Sequence, residues 1–295
     1  MIIGQIVNGL VVGCMYAIVA LGYTLVLGVL HRLNFAQGAV FMVGGFVGLM
    51  MARLGLDFWP ALIGSLLAGG ALGLLTERIS FRRFGSDESG ITASLSSLAV
   101  GLLLTDLVFH QWGADPVTLP IAQEFSRGGI TLLGIRFIPV QGLILIVTLL
   151  MLLALHFGLS RSRMGRSIRA VADSPGNSAY LGVNVKRVTQ QVFFISSGLA
   201  TAAGLLFAMR IGTANSDVGL AFGLKAMAVM AIGGMGDVRG AVVGGLLVGV
   251  AEGIGTHFGL GRLTELIVWL LMIVILLVRP QGLFGSPYHG TVQRA

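Results

Sequence analysis

The chain has 295 residues, of which 55% are hydrophobic and 11% charged, with 45 glycines and a mean hydropathy of +0.92. Soluble domains carry about 25% charged residues, so this composition excludes a soluble enzyme or binding domain and points to a chain built into a bilayer. The net charge of +7 is concentrated in short loops beside apolar runs, the bias expected of cytoplasmic loops, which can also touch anionic lipid; no nucleic-acid partner is expected.

Ile6 to Leu30 is the first apolar run, longer than the ~17–25 residues a crossing needs. Asn8, Tyr16, Tyr23 and Thr24 are its sparse polar handles, and Gly9 and Gly13 form a small-xxx-small pair on which helices pack closely in lipid. Cys14, the lone cysteine, lies inside this run, so the chain has no internal disulfide and no cysteine-based metal site. No basic stretch precedes the run, so it is expected to stay in the membrane rather than be cleaved. His31-Arg32-Leu33-Asn34 breaks the run, and Phe35 to Met51 resumes it. At that length it either crosses with little tilt or is re-entrant. Arg53 to Pro60 is a short loop in which Trp59 suits a membrane interface. Ala61 to Leu75 follows, then a second polar, basic loop from Glu77 to Glu88, then the span Ser89 to Phe109. Trp112 to Pro139 is long and nearly neutral, which suits the outer side.

Gln141 to Phe157 leads into the longest polar interval of the chain, Ser160 to Gln190, where Arg161, Arg163, Arg166, Arg169, Lys186 and Arg187 stand against the single acid Asp173. Within it, Gly165 to Asp173 alternates arginines with Ile168, Val171 and alanines, which predicts a short amphipathic helix. Ser174 and Pro175 predict an N-cap and the first position of a second short helix. Gly182 offers a left-handed end for it, so the interval reads as two short helices at the membrane surface, with a merely solvated basic connection as the open alternative. Val192 to Met209 spans again, Arg210 to Asp217 is a small polar loop, and Gly219 to Gly234 is a short span carrying Lys225, expected in an ion pair. After the glycine-rich turn Gly233 to Gly240, Ala241 to Thr256 returns. Gly236, Gly240, Gly244, Gly245, Gly249 and Gly253 read as one face at four-residue steps, a ridge for close helix packing. Leu263 to Val278 is the last span, before the tail Arg279 to Gly285. The expected fold is all-α, a polytopic transmembrane bundle of eight or nine segments in one domain covering residues 1–295. Alternation from a cytoplasmic C-terminus puts the basic loops, including 158–190, inside.

The basic interval resembles the cytoplasmic coupling segment of LivH-like permeases, the membrane subunits of branched-chain amino acid ABC importers. Gly165, Arg166, Arg169, Ala170, Asp173, Ala179, Gly182, Val183 and Asn184 carry the likeness, with Pro175 inside it. The start is similar to the same family through Gln5, Asn8, Gly9, Leu10, Tyr16, Ala17, Ala20, Leu21, Gly22, Asn34, Phe35, Ala36 and Gly38. The stretches GGMGDVRGAVVGGLLVG and RPQGLFG extend the likeness over nearly the whole chain. Three positions depart: Gln37 stands where members have histidine, Asp237 where they have serine, and Arg239 near their proline. The resemblance implies that the segment docks into a cleft on an ATPase and couples it mechanically. It also implies two ATPase subunits that use ATP and magnesium, a second permease subunit (a paralogue or another copy), an external substrate-binding protein, and residence in the inner (plasma) membrane.

No Walker A sequence, G-x-S-x-G or H-E-x-x-H occurs, so the chain encodes no hydrolytic site of those kinds and needs no cofactor of its own. The scattered histidines give no metal site. Polar side chains in lipid mark candidate pathways. Here these are Asn8, Asn34, Gln37, Ser94, Ser96 and Ser97, with Thr105, Asp106, Lys225, Glu252 and Glu265 beside them. For the hydroxyls, bonding to the preceding helical turn is the plainer alternative, and the three acids could simply sit at the outer interface. An apolar path suits an aliphatic amino acid but also urea or short amides. A self-contained channel or secondary transporter is the other class, with polar groups at broken helices.

Overall fold

The computed structural model describes residues 2–83, 90–122, 130–132 and 135–285. Its helices are α1 Ile2–Leu30, α2 Gln37–Arg53, α3 Phe58–Thr76, α4 Gly90–Trp112, α5 Pro139–Arg161, α6 Arg163–Asp173, α7 Pro175–Tyr180, α8 Val185–Ile211, α9 Val218–Gly233, α10 Val238–His257 and α11 Thr264–Val278. Among the described residues, six helices are long and apolar enough to cross a membrane, and three shorter apolar ones (α2, α9 and α11) stand beside them. This agrees with eight or nine segments. One boundary differs from the sequence reading: Glu77–Phe81 is not loop but a π-helical turn that prolongs α3. Its run ERISF is polar like a connection, yet Glu77, Ser80 and Phe81 are buried, Phe81 against Phe193 of α8. Arg82 and Arg83 follow it in a turn, and residues 84–88 of the predicted loop lie outside the described residues.

Helices α1 and α8 form the centre, and small residues let their neighbours reach them. Against α8 lie Gly44 of α2, facing Thr201, and Gly69 and Gly73 of α3, facing Ser197 and Thr201. Thr201 Oγ1 donates to the Ser65 carbonyl of α3 at 2.7 Å. Helix α10 crosses α1 antiparallel through Gly245, Gly249 and Gly253, which meet Ala17, Gly13 with Gly9, and Gln5. The glycine ridge is therefore two ridges, not one: Gly240 and Gly244 turn to Gly233 and Val229 of α9. Adjacent residues point about 100° apart on a helix, so Gly244 and Gly245 serve different partners. Leu102, Leu103 and Leu107 of α4 and Ile146, Leu149 and Leu150 of α5 are exposed, as expected of helices facing lipid.

Loop pairings sort the connections into two ends. Val117–Thr118 pairs antiparallel with Thr213–Ala214, so the α4–α5 and α8–α9 connections share one end. The tail returns to the α9–α10 turn at the other end, where the Leu283 and Phe284 amides donate to the Ile232 and Gly233 carbonyls at 2.9 Å. Helices α6 and α7 follow α5 at that second end, as alternation requires.

Candidate functional site

The basic segment at the second end is built by local capping. Ser162 Oγ accepts from the Gly165 amide at 2.9 Å and starts α6. Ser174 Oγ accepts from the Asn177 amide at 3.4 Å, with Pro175 in the first turn of α7. Gly182 is left-handed at φ +83°, and Asn184 Oδ1 accepts from the Arg187 amide at 3.0 Å to start α8. Helix α6 buries Gly165, Ile168 and Val171, the expected amphipathic face. Arg169 reaches back and donates from Nη1 to the Leu159 carbonyl at 2.6 Å, and a Cβ on Gly165 would strike that same carbonyl. Gly165 and Arg169 thus clamp α6 onto the last turn of α5. Arg166, Asp173, Pro175 and Ala179 are exposed, and Ala170 and Val183 half-buried. The sequence reading missed the tip: Tyr180 is 91% and Leu181 83% exposed. Two large apolar side chains beside a helix-ending glycine were the available signal.

A second group lies where α1 gives way to α2. The chain turns at His31 (φ +54°) and folds back, so that Gln37 meets Gly22 of α1. Asn34 Oδ1 accepts from the Ala36 amide at 3.2 Å, and its Nδ2 donates to Gln37 Oε1 at 3.4 Å. Gln37 Nε2 donates to the Ser196 carbonyl of α8 at 2.9 Å. The Phe35 amide donates to Ser97 Oγ of α4 at 2.9 Å, and Ser97 Oγ donates on to the Ser94 carbonyl at 2.6 Å. Asn34, Gln37, Ser97 and the backbone of Ser94 are therefore brought together, tying α2 to α4 and α8; Ser96 is half-buried on α4. Thr105 bonds its preceding turn at the Gly101 carbonyl, 3.0 Å away.

Asn8 stands apart from that group, in a cavity of about 330 Å³ at the strand-bearing end. Its walls come from α1, the last turn of α8, α9, α10 and the start of α11. Lys225 Nζ pairs with Glu252 Oε1 at 3.1 Å, and Tyr16 Oη donates to Glu252 Oε2 at 3.0 Å. Thr256 Oγ1 donates to the Glu252 carbonyl at 2.6 Å, and Arg210 Nη2 donates to Asn8 Oδ1 at 2.7 Å. The expected ion pair of Lys225 is present. Two readings change: Arg210 belongs to α8 and faces the cavity rather than a loop, and Glu252 is buried between helices rather than placed at an interface. Asp106 and Glu265 are exposed. Val12, Phe207, Val218 and Phe222 supply apolar wall, with Phe222 tilted against Tyr16 at 4.7 Å between ring centres.

A bundle of apolar crossings packed on glycines, with a charged cavity at one end and a capped basic segment at the other, has the anatomy of a multi-pass membrane permease. The family model described as branched-chain amino acid transport system / permease component matches residues 5–276, and the chain belongs to that family. It is 33% identical to the high-affinity branched-chain amino acid transport system permease protein BraD of Pseudomonas aeruginosa, over 96% of this chain and 95% of that protein. It is 32% identical, with the same coverage, to the corresponding permease protein LivH of Escherichia coli K12. Among solved structures, PsaBC from Streptococcus pneumoniae in complex with Fab aligns at a TM-score of 0.45 and 15% identity, covering 93% of this chain and 91% of that one.

Proposed function

We propose that this chain is the membrane subunit of an ATP-driven importer and forms, with a second permease subunit, the path for branched-chain amino acids handed over by an external binding protein. Hydrolysis of ATP with magnesium belongs to two separate ATPase subunits in the cytosol. They grip the α6–α7 segment, with Tyr180 and Leu181 at its exposed tip, and the clamp at Gly165 and Arg169 passes their movement to α5. The chain works as one domain in the inner membrane, with its C-terminus and basic loops cytosolic.

The observation that carries this reading is identity over nearly the full length to two permease proteins of branched-chain amino acid transport systems. The test is co-expression of the chain with its ATPase, binding-protein and second-permease partners in cells lacking their own system. Uptake of radiolabelled leucine should require ATP and every partner, and excess unlabelled isoleucine and valine should compete while urea and acetamide do not. Competition by urea alone, or uptake by this chain without any ATPase, would refute the reading.

A further inference from the structure

We infer that the cavity lined by Asn8, Tyr16, Arg210, Lys225 and Glu252 is the entry site that recognises the charged head of a free α-amino acid. Arg210 takes the carboxylate and Glu252 faces the ammonium group. This rests on the transport function proposed above and adds to it where, and by which groups, the cargo is first held.

Charge and position support the assignment. Lys225 and Glu252 neutralise one another, whereas Arg210 donates only to the neutral amide of Asn8 and has no ion-paired carboxylate among the described residues. Among the cavity-lining residues two cations, Arg210 and Lys225, thus share one carboxylate, Glu252, which bonds Lys225 directly, while Glu265 follows the lining residue Thr264 and acts on Tyr16. A guanidinium presents a planar fork of donors matched to a carboxylate, and an amide oxygen on one nitrogen leaves others to bind it. Glu252 holds Tyr16 on one oxygen and Lys225 on the other, but an ionised carboxylate has about four acceptor sites and can take an ammonium as well. The Lys225 and Glu252 side chains retain 15% and 11% of their exposure, so they are not sealed off from the cavity. A cluster of charged side chains held between membrane helices is itself a pointer to a substrate pathway.

Shape agrees with the same ligand. About 330 Å³ lies at the small end of the ~300–1,000 Å³ typical of small-molecule sites. Phe207, Phe222, Val12 and Val218 give an aliphatic side chain an apolar wall beside the charged groups. The cavity reaches from Arg210, in the last turn of α8 at the strand-bearing end, to Tyr16 and Lys225 midway along α1 and α9, on the side opposite α6 and α7, where an external binding protein would release its load.

The test uses the complete transporter in proteoliposomes, with leucine-loaded binding protein outside and ATP inside. Two quantities are followed: leucine delivered and ATP hydrolysed. Arg210→Gln and Glu252→Gln should each lower leucine delivered per ATP by at least about tenfold, as expected for losing a charge-assisted hydrogen bond. ATP hydrolysis stimulated by the binding protein should fall by less than delivery does, so that the two quantities separate. Arg210→Lys keeps the charge but not the planar fork, so it should recover delivery in part, above the level of Arg210→Gln. Unchanged delivery in both variants overturns the inference, as does an equal fall in delivery and hydrolysis that Arg210→Lys fails to rescue, since that marks a scaffold role. If the wild-type transporter moves no leucine, the proposed function itself fails, and that outcome is read before any variant is compared.

Discussion

Replacing Gly249 by alanine tests whether contact between α1 and α10 depends on the absence of a side chain. A Cβ there would overlap the Gly9 carbonyl oxygen and the Cα and amide nitrogen of Gly13. All three are backbone atoms of a central helix, and none can rotate aside. Gly28, in the last turn of α1, is the control, because nothing lies within 4 Å of its built Cβ. Alanine is favoured over glycine in a helix by up to about 1 kcal/mol, a gain both variants share in part. Overpacking a fitted contact costs about 1–3 kcal/mol, so Gly249→Ala should fall below Gly28→Ala by roughly that amount, a factor of about 5 to 150 in the folding equilibrium. The measurement is unfolding of the purified protein in mixed micelles as denaturing detergent is titrated in, followed by far-UV circular dichroism and by accessibility of buried Cys14. Coincident midpoints for the two variants, or a higher midpoint for Gly249→Ala, would show that the helices can part freely and that the packing account is mistaken.

Gln37→Leu removes the link from α2 to the Ser196 carbonyl and leaves Asn34 Nδ2 without its acceptor, so the same titration should show a loss of about 1–3 kcal/mol. Lys225→Met leaves Glu252 as a carboxylate without its cation. It should cost more than the double variant Lys225→Met with Glu252→Gln, which removes both charges, and a double variant less stable than the single would contradict the pairing. Asn184→Ala strips the N-cap of α8 and should cost about 1 kcal/mol, read as faster amide exchange confined to the first turn of that helix. Arg169→Ala frees α6 from the end of α5. In the complete transporter it should lower substrate moved per ATP while ATPase binding, measured by co-purification, is retained; loss of binding would place Arg169 at the docking surface instead.

What could be read from the sequence divides by the distance over which each feature is encoded. The α6–α7 segment was legible almost residue by residue, because a cap and its amide lie three positions apart and Gly182 ends a helix by its own geometry. The π turn at Glu77 to Phe81 was not, since charged residues ordinarily signal solvent, and only the neighbouring face of α8 makes burial favourable there. Glycine spacing announced close packing but not its phase: a four-residue step fits either ridge of α10, and the partner helix decides which. The cavity was the least legible, because Tyr16 and Glu252 are 236 positions apart and Asn8 and Arg210 are 202 apart. Lys225 announced itself as a cation deep in an apolar run, whereas Arg210 read as the first residue of a polar loop, where a basic side chain is unremarkable. What gives Arg210 its meaning is that residues of α1, α9, α10 and α11 line one cavity around it, so a charge that would face headgroups on an isolated helix is enclosed by protein. The carboxylate that the fold places in this cavity, Glu252, bonds Lys225 and Tyr16 directly, so the donors of Arg210 that Asn8 does not take are open to the carboxylate of a solute.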